Sequence, residues 1–305
     1  MKDWRKRTFP VGVKEDSIHG ELMEYPLSVY YPALKEGPDA TPDERHAYPG
    51  LIFAHGFASA AQDYTYIGQV LGSHGYVAAF FSAGKRRGGY LLRTIDPVKA
   101  VAQHRDAITK TIDYLHSNPM KIVLTDKIGI AGHSLGGITC LQAAARDNRL
   151  KAVVACSAVN IQIILGNILG GLGKTLSRKI FGNSDFAQGI KVPTLLIHGA
   201  RDKLTPIEHG LSYYDMIRDT SKEVLGINGP ISLMGEWMKA HLLGLVLVER
   251  MGYDYTPTVL KYMINWFNFF LYKDTESWTY LFGKAIQNDI TKKILSKNRF
   301  FINQV

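Results

Sequence analysis

Gly132-His133-Ser134-Leu135-Gly136-Gly137 stands between an apolar run, 127–131, and a helix-like run from about 138 to 146. A strand, the pattern G-x-S-x-G and a helix in this order predict a nucleophile elbow, in which a sharp turn presents a strained serine. Glycines at 132 and 136 carry no Cβ, so strand and helix can pass close together while the Ser134 hydroxyl stays accessible. A glycine-rich turn with a bystander serine is the alternative interpretation.

Apolar runs alternate with helix-like segments on both sides of this turn. Buried strands are predicted at 50–54, 76–82, 127–131, 150–156, 192–199 and 223–229, with edge strands within 21–34. The run at 223–229 is interpreted as the last strand, and a helix from Thr256 to about Tyr272 as the closing one. This alternation predicts an α/β fold with a doubly wound, mostly parallel sheet in one domain, 1–305.

Two interruptions of this alternation, about 160–190 and 230–255, are too long for ordinary connections. Both are rich in apolar residues, which would form large hydrophobic patches if the two segments were exposed separately. We therefore expect two helical insertions that pack together as a lid over the carboxyl ends of the strands. Trp237, in the second insertion, is expected to contact substrate.

Composition narrows the class of protein. The chain has 305 residues, is 46% hydrophobic and carries a formal net charge of +9. Its basic residues are dispersed and no nucleic-acid module accompanies them, so no nucleic-acid partner is expected. The charge leaves weak association with membrane surfaces open. The N-terminus lacks a signal-peptide pattern and no apolar run reaches a membrane span, which together predict a cytoplasmic location.

Cysteine and aromatic residues are interpreted as core. Cys140 and Cys156 lie in apolar runs and are expected to be buried thiols rather than a disulfide framework. The aromatic residues at 266–270 are expected on the buried face of the closing helix. Neither a metal nor an organic cofactor is called for by the sequence.

A serine nucleophile needs a base that a third group orients, and on this fold the order is serine, acid, histidine. Asp202 follows a buried strand, in the loop at its carboxyl end, although an aspartate there could instead cap the following helix. Only His209 and His241 come after Asp202. His209 is too near along the chain, which leaves His241 as the base, against the alternative of a histidine merely packed on an apolar helix.

Backbone N–H groups must stabilise the charge that develops on the substrate oxygen. The residue after the nucleophile, Leu135, supplies one, and the loop at His55-Gly56-Phe57 is expected to supply the other. His55 is expected to order that loop by hydrogen bonding.

The chain resembles α/β-hydrolases of the polyester-hydrolase, cutinase and dienelactone-hydrolase group over about residues 20–282. The matching blocks are 55–57, 73–76, 132–137, 192–202, 227–229 and 273–275. The resemblance implies esterase activity, with Ser134 and Asp202 in the catalytic positions and Phe57 and Leu135 in the oxyanion-hole positions. Two features depart from the group: Ser232 stands where its histidine is found, and the aromatic clamp after Cys156 is absent.

These observations predict a serine hydrolase that cleaves carboxylic esters through an acyl-enzyme on Ser134. It would be a carboxylesterase, and the resemblance extends this to polyester-hydrolase-like substrates. Two alternatives stay open: a catalytically impaired hydrolase that serves as a binding module, and an amidase or peptidase with the same triad. Oligomeric state and the acyl and alcohol groups are not indicated.

Overall fold

A computed structural model describes residues 9–57, 59–83, 96–181, 184–202, 204–228 and 256–303. In these ranges one large sheet runs through the molecule. Its ten strands are β1 Val11–His19, β2 Glu24–Pro32, β3 Gly37–Pro38, β4 Tyr48–Ala54, β5 Val77–Phe81, β6 Val123–His133, β7 Leu150–Cys156, β8 Thr194–Gly199, β9 Lys222–Ile227 and β10 Leu295–Phe301.

Helices cover both faces of this sheet. The α-helices in the described ranges are α1 Thr65–Ser73, α2 Pro97–Ser117, α3 Leu135–Ala144, α4 Ile161–Phe181, α5 Ile207–Met216, α6 Thr256–Phe267, α7 Ser277–Leu281 and α8 Lys284–Thr291. None of the helices in the described ranges is long and apolar enough to cross a membrane.

The strand order is β10-β9-β8-β7-β6-β4-β5-β2-β1-β3. The six strands from β9 to β5 in this order are parallel to their neighbours, whereas β2 pairs antiparallel with β5 and β10 antiparallel with β9. Because the carboxyl ends of parallel strands meet at one edge, the turns after β4, β6, β7 and β8 share that edge. The mixed, mostly parallel sheet confirms the predicted α/β class and is compatible with an α/β-hydrolase fold.

Two hydrophobic layers hold the helices on the sheet. One layer joins the sheet to α2, α3 and α5, and the other joins it to α1 and α6. Successive residues of β6 alternate between them, Ile130 in the first layer and Ala131 in the second, as expected for a strand buried on both faces. Cys140 and Cys156 are buried free thiols, and Trp266 and Phe267 are fully buried, so these core predictions are confirmed.

The edges of the sheet differ from the prediction. The N-terminal edge strands begin earlier, with β1 at Val11, and β2 lies inside the sheet between β1 and β5. The interpretation of 223–229 as the last strand is wrong, since β10 pairs with β9 at the far edge. The basic residues of β10 interrupt the apolar pattern by which a strand is recognised in the sequence. They suit an edge strand, where charge discourages pairing with another chain. Likewise α6 does not close the chain, because α7 and α8 follow it.

Glu223 is an unsatisfied carboxyl inside this core. It lies on β9 with no exposed surface, and neither oxygen has a hydrogen-bond partner among the described residues. It shares a strand face with Leu225 and Ile227 of the second layer, because side chains alternate along a strand. Burial raises the pKa of this carboxyl well above its usual range, which favours the protonated form of Glu223 in the folded protein.

This burial predicts a pH-dependent stability. The folded state holds the Glu223 proton at pH values where the unfolded chain releases it, so the free energy of unfolding falls as pH rises above the unfolded pKa of about 4.3. Replacing the side chain with an apolar one of similar length, Glu223→Met, removes this loss. Between pH 5 and pH 8 the stability advantage of the variant should grow, by up to about 1.4 kcal/mol per pH unit.

Denaturant unfolding of both proteins across this pH range checks the prediction. Glu208→Met, at an exposed glutamate of α5, is the control and should follow the wild-type pH dependence. Parallel stability curves for wild type and Glu223→Met would show that Glu223 is not a buried neutral carboxyl.

Candidate functional site

The turn from β6 into α3 places Ser134 at the N-cap of α3 with φ 56° and ψ −112°. A non-glycine residue seldom adopts a positive φ, and such strain is held only where the surroundings impose it. The Ser134 N–H donates to the carbonyl of Cys156 at 2.9 Å, and the Ser134 carbonyl accepts from the N–H of Ile138 at 3.3 Å. The side chain makes no cap hydrogen bond to the helix, so the serine hydroxyl is left for other chemistry.

The glycines around Ser134 are required by contact. A Cβ at Gly136 would lie 2.0 Å from the carbonyl oxygen of Ala54, and a Cβ at Gly132 would lie 2.5 Å from that of Gly136. Neither position can carry a side chain without moving the backbone of the neighbouring segment. The close passage of strand, helix and the end of β4 therefore follows from the two glycines, as the sequence indicated.

The loop after β4 is held by hydrogen bonds through both backbone groups of Gly56. Its N–H donates to the hydroxyl of Tyr64 at 3.0 Å, and its carbonyl accepts from Nδ1–H of His55 at 2.7 Å. The Nε2 atom of His55 accepts from the N–H of Ala83 at 2.9 Å. Both ring nitrogens of His55 are thereby engaged with backbone, which matches the expectation that His55 orders this loop.

Two backbone donors near the elbow have no hydrogen-bond partner among the described residues. Phe57, 37% exposed, follows Gly56 in the loop, and Leu135 is the first residue of α3. Neither N–H donates a hydrogen bond to any residue in the described ranges. The N-terminus of α3 adds the positive end of a helix dipole at the same place. This arrangement can stabilise a negative charge on an oxygen atom next to Ser134.

A buried tyrosine links the elbow to the loop. The hydroxyl oxygen of Tyr64, which accepts from Gly56, also lies 3.0 Å from Nδ1 of His133, the residue before the nucleophile. With its hydrogen donated to His133 Nδ1, the hydroxyl satisfies both neighbours. Burial raises the pKa of Tyr64 to about 12 and lowers the pKa of His133 to about 4, so both side chains are neutral at pH 7. The sequence contains no local signal for this link.

Asp202 lies in the loop after β8, at the same edge of the sheet as Ser134. Its Oδ1 accepts from the N–H groups of Leu204 at 2.8 Å and Thr205 at 2.9 Å. Its Oδ2 accepts from the hydroxyl of Thr205, also at 2.9 Å. The N-cap of α5 is Pro206 and has no side-chain cap, so Asp202 does not cap that helix. The aspartate is held by its own loop, which keeps a carboxylate at the rim.

The negative charge of Asp202 acts on three buried histidines, His133, His198 and His209. Burial lowers the pKa values of His133 and His198 to about 4 and lowers that of His209, while the negative charge of Asp202 partly offsets each change. Nδ1 of His209 accepts from the N–H of Asn160 at 3.0 Å. His209 therefore carries its proton on Nε2, and in that tautomer it cannot accept a proton there from a serine. His209 is unsuited to be the base, as the sequence argument concluded on other grounds.

The start of α4 is anchored at the same edge. Asn160 follows β7, and its Oδ1 accepts from the N–H groups of Gln162 and Ile163 at 3.1 and 3.4 Å. Its Nδ2 donates to Ser212 Oγ of α5 at 2.9 Å. At Gly170, with φ 59°, the helix is interrupted, so α4 consists of two helical halves, 161–169 and 171–181.

The two halves of α4 fold back on each other. A Cβ at Gly173 would lie 1.9 Å from the carbonyl oxygen of Leu165, so the halves touch through backbone. Leu169 and Leu172, beside the interruption, are 46% and 73% exposed. The segment Ile161–Phe181 is thus a helical hairpin with exposed leucines at its tip.

Two predicted site residues, His241 and Trp237, lie in 229–255, outside the described residues. The expected packing of 230–255 against the first insertion falls on the same range. Within the described part of the chain no cluster of three or more histidine, cysteine or carboxylate side chains could hold a metal ion.

Comparison with known proteins gives distant relatives. No family model matches the chain. The curated protein platelet-activating factor acetylhydrolase of Canis lupus familiaris is 27% identical, over 46% of this chain and 41% of that protein. The uncharacterized protein YfhR of Escherichia coli strain K12 is 28% identical, over 35% of this chain and 37% of its own length. The chain thus spans about two fifths of the length of the curated relatives that it matches, and it has weak similarity to a hydrolase.

Proposed function

We propose that this protein is a serine hydrolase of carboxylic esters, with Ser134 as its nucleophile. The observation that carries the proposal is the strained Ser134 at the N-terminus of α3, beside two backbone N–H groups that have no partner in the described ranges. A structural turn has no need for a positive φ at a serine together with two unengaged donors. An acyl-transfer site needs both features.

In the proposed mechanism, Ser134 Oγ attacks the carbonyl carbon of the ester and transfers its proton to the base. The N–H groups of Phe57 and Leu135 hold the oxyanion that forms. The base then protonates the leaving alcohol, and an acyl-enzyme on Ser134 remains. Water, activated by the same base, releases the acid and restores the serine. Asp202 orients the imidazole and stabilises its charged form.

His241 is proposed as the base. The other nine histidines lie in described ranges, and no histidine ring there hydrogen-bonds to Asp202. Both ring nitrogens of His55 are engaged with backbone groups, and His209 carries its proton on Nε2, the atom at which a triad base accepts the serine proton. His241 is therefore the histidine left for the role, in a segment long enough to fold back over the elbow.

Small acyl groups are the first substrates to test. The named relative is an acetylhydrolase, so acetyl esters are proposed as substrates here, and polyester cleavage is kept as the finer proposal from the resemblance to cutinases.

The α4 hairpin is proposed as half of an apolar lid with 230–255, because its exposed leucines need a cover. Trp237 would contact substrate from that second half. Glycines of the α4 hairpin, such as Gly170 at its interruption, would let the cover move.

Matched ester and amide substrates test this proposal. 4-Nitrophenyl acetate, butyrate and octanoate would be compared with the corresponding 4-nitroanilides under identical conditions. We expect turnover of the esters, fastest for short acyl groups, with amides at least about 100-fold slower. Faster amide turnover would favour the amidase or peptidase, which uses the same residues.

A binding module is the second candidate, favoured by one observation. Ser232 stands at the position where the resembled group has its histidine, and the described histidines do not replace it. A protein that binds ester analogues but turns over none of the substrates would support this candidate.

Tyr64→Phe tests the link between elbow and loop. Removal of the hydroxyl leaves the Gly56 N–H and His133 Nδ1 without their partner, so the loop that carries Phe57 loses its fixed position. We expect kcat for the best ester to fall by at least about tenfold, with KM changed less than about twofold, because the oxyanion forms only after binding.

Tyr25→Phe is the matched control, since that buried tyrosine donates to Asp106 at 2.8 Å in another part of the fold. It should lose stability and keep kcat. Equal kcat values for Tyr64→Phe and wild type would show that the tyrosine does not position the loop.

A further inference from the structure

A cavity of about 210 Å³ lies between α2 and α3, and we call it the α2–α3 cavity. Arg105 of α2 and Arg146, just after α3, line it together with Gln142 of α3 and Asp147. Gln142 is eight residues beyond Ser134, or about 12 Å along the helix at 1.5 Å per residue. The cavity is therefore at the end of α3 remote from the elbow and belongs to a different site.

A buried amide holds the Arg105 side chain in place. Its Nε donates to Oε1 of Gln142 at 2.8 Å, and Gln142 is only 3% exposed. This contact uses one edge of the guanidinium and leaves the Nη1 and Nη2 donors of Arg105. Two parallel N–H groups of this kind match two oxygens of a phosphate or carboxylate.

The two arginines that line the cavity have no carboxylate partner among the described residues. Arg45, Arg149 and Arg299 each pair with an aspartate, whereas neither Arg105 nor Arg146 forms a salt bridge in the described part of the chain. Asp147, the carboxylate in the lining, is occupied by Arg149, whose Nη2 lies 2.7 Å from Asp147 Oδ2.

Burial lowers the pKa of Arg105, and the positive charge of Arg146 lowers it further. The C-terminus of α3 contributes about half a negative charge, which is less than the two arginines supply. An anion in the cavity would offset the remaining repulsion.

We propose that the α2–α3 cavity binds a phosphate group, with Arg105 and Arg146 as its ligands. Phosphate suits the site better than a carboxylate, because two guanidinium groups face one cavity and phosphate carries up to two charges on several oxygens. One water needs only about 10–15 Å³ of such space, so the cavity also admits a group attached to the phosphate. The phosphate could come from the free ion or from a small phosphate monoester.

Thermal unfolding of the full-length protein, with ionic strength held constant by potassium chloride, tests the site. Inorganic phosphate and glycerol 3-phosphate should each raise Tm saturably, by about 2–4 °C, because a ligand that binds only the folded state stabilises it. The ligand that saturates at the lower concentration identifies the natural form.

Variants at the two arginines assign the binding to the cavity. Arg146→Gln, at an exposed position, should raise the Kd for phosphate at least about tenfold, and Arg105→Gln/Arg146→Gln should lose the saturable shift. Arg218→Gln, at another exposed arginine, is the matched control and should bind as wild type does. Should the double variant unfold, Arg146→Gln measured by calorimetry still decides. A wild-type Tm that is independent of phosphate, or equal Kd values in wild type and Arg146→Gln, would overturn the proposal.

Discussion

Ser134→Ala should reduce ester turnover about 10⁴- to 10⁶-fold, because removal of a triad nucleophile leaves only binding and oxyanion stabilisation. The substitution removes one oxygen atom from a half-buried position and breaks no hydrogen bond that the described residues make. Alanine must still adopt the positive φ of residue 134, so stability should be close to that of wild type. The measurement is kcat/KM for the best 4-nitrophenyl ester, together with Tm.

A matched control for this variant is Ser212→Ala on α5, whose hydroxyl contacts Asn160 and not the elbow. It should keep turnover within about threefold of wild type. Turnover by Ser134→Ala at the wild-type rate would contradict a serine nucleophile at this position, whatever the activity turns out to be.

His241→Ala is the second large effect, with an expected loss of at least about 10³-fold in kcat. Without a base, the Ser134 hydroxyl stays protonated and is a poor nucleophile at neutral pH. His116→Ala, at an exposed histidine near the end of α2, is the control and should be fully active.

The pattern across variants separates three accounts. Loss of activity in both Ser134→Ala and His241→Ala supports the triad. An active His241→Ala beside an inactive Ser134→Ala places the base elsewhere. A wild type that turns over no ester supports the binding module.

The elbow could be predicted from the sequence because its causes are local. Gly132 and Gly136 are required by contacts within a few residues and at the end of β4. A glycine in the sequence indicates such a close contact directly, because only glycine has no Cβ. The parallel strands were recognisable for a similar reason, since strands buried on both faces are continuous apolar runs. The position of Asp202 at the carboxyl edge of the sheet could be predicted because the residue follows one of those runs, and its catalytic role stays a prediction.

Features that depend on distant packing could not be predicted in this way. Tyr64 meets Gly56 and His133 because β4 and β6 are neighbours in the sheet, although Tyr64 and His133 are 69 positions apart in the sequence. Asn160 anchors α4 through His209, which is 49 positions away in the sequence. β10 was missed because its basic residues resemble a solvated segment, and only its pairing with β9 makes it a strand.

The most direct test of the central claim is covalent labelling with a fluorophosphonate, which reacts with an activated serine and needs no knowledge of the natural ester. The labelled protein would be digested and the modified residue located by peptide mass spectrometry. The account predicts one label per chain, on Ser134, formed slowly or not at all in His241→Ala and absent from Ser134→Ala. A label on another residue, or labelling of Ser134→Ala at the wild-type rate, would contradict it.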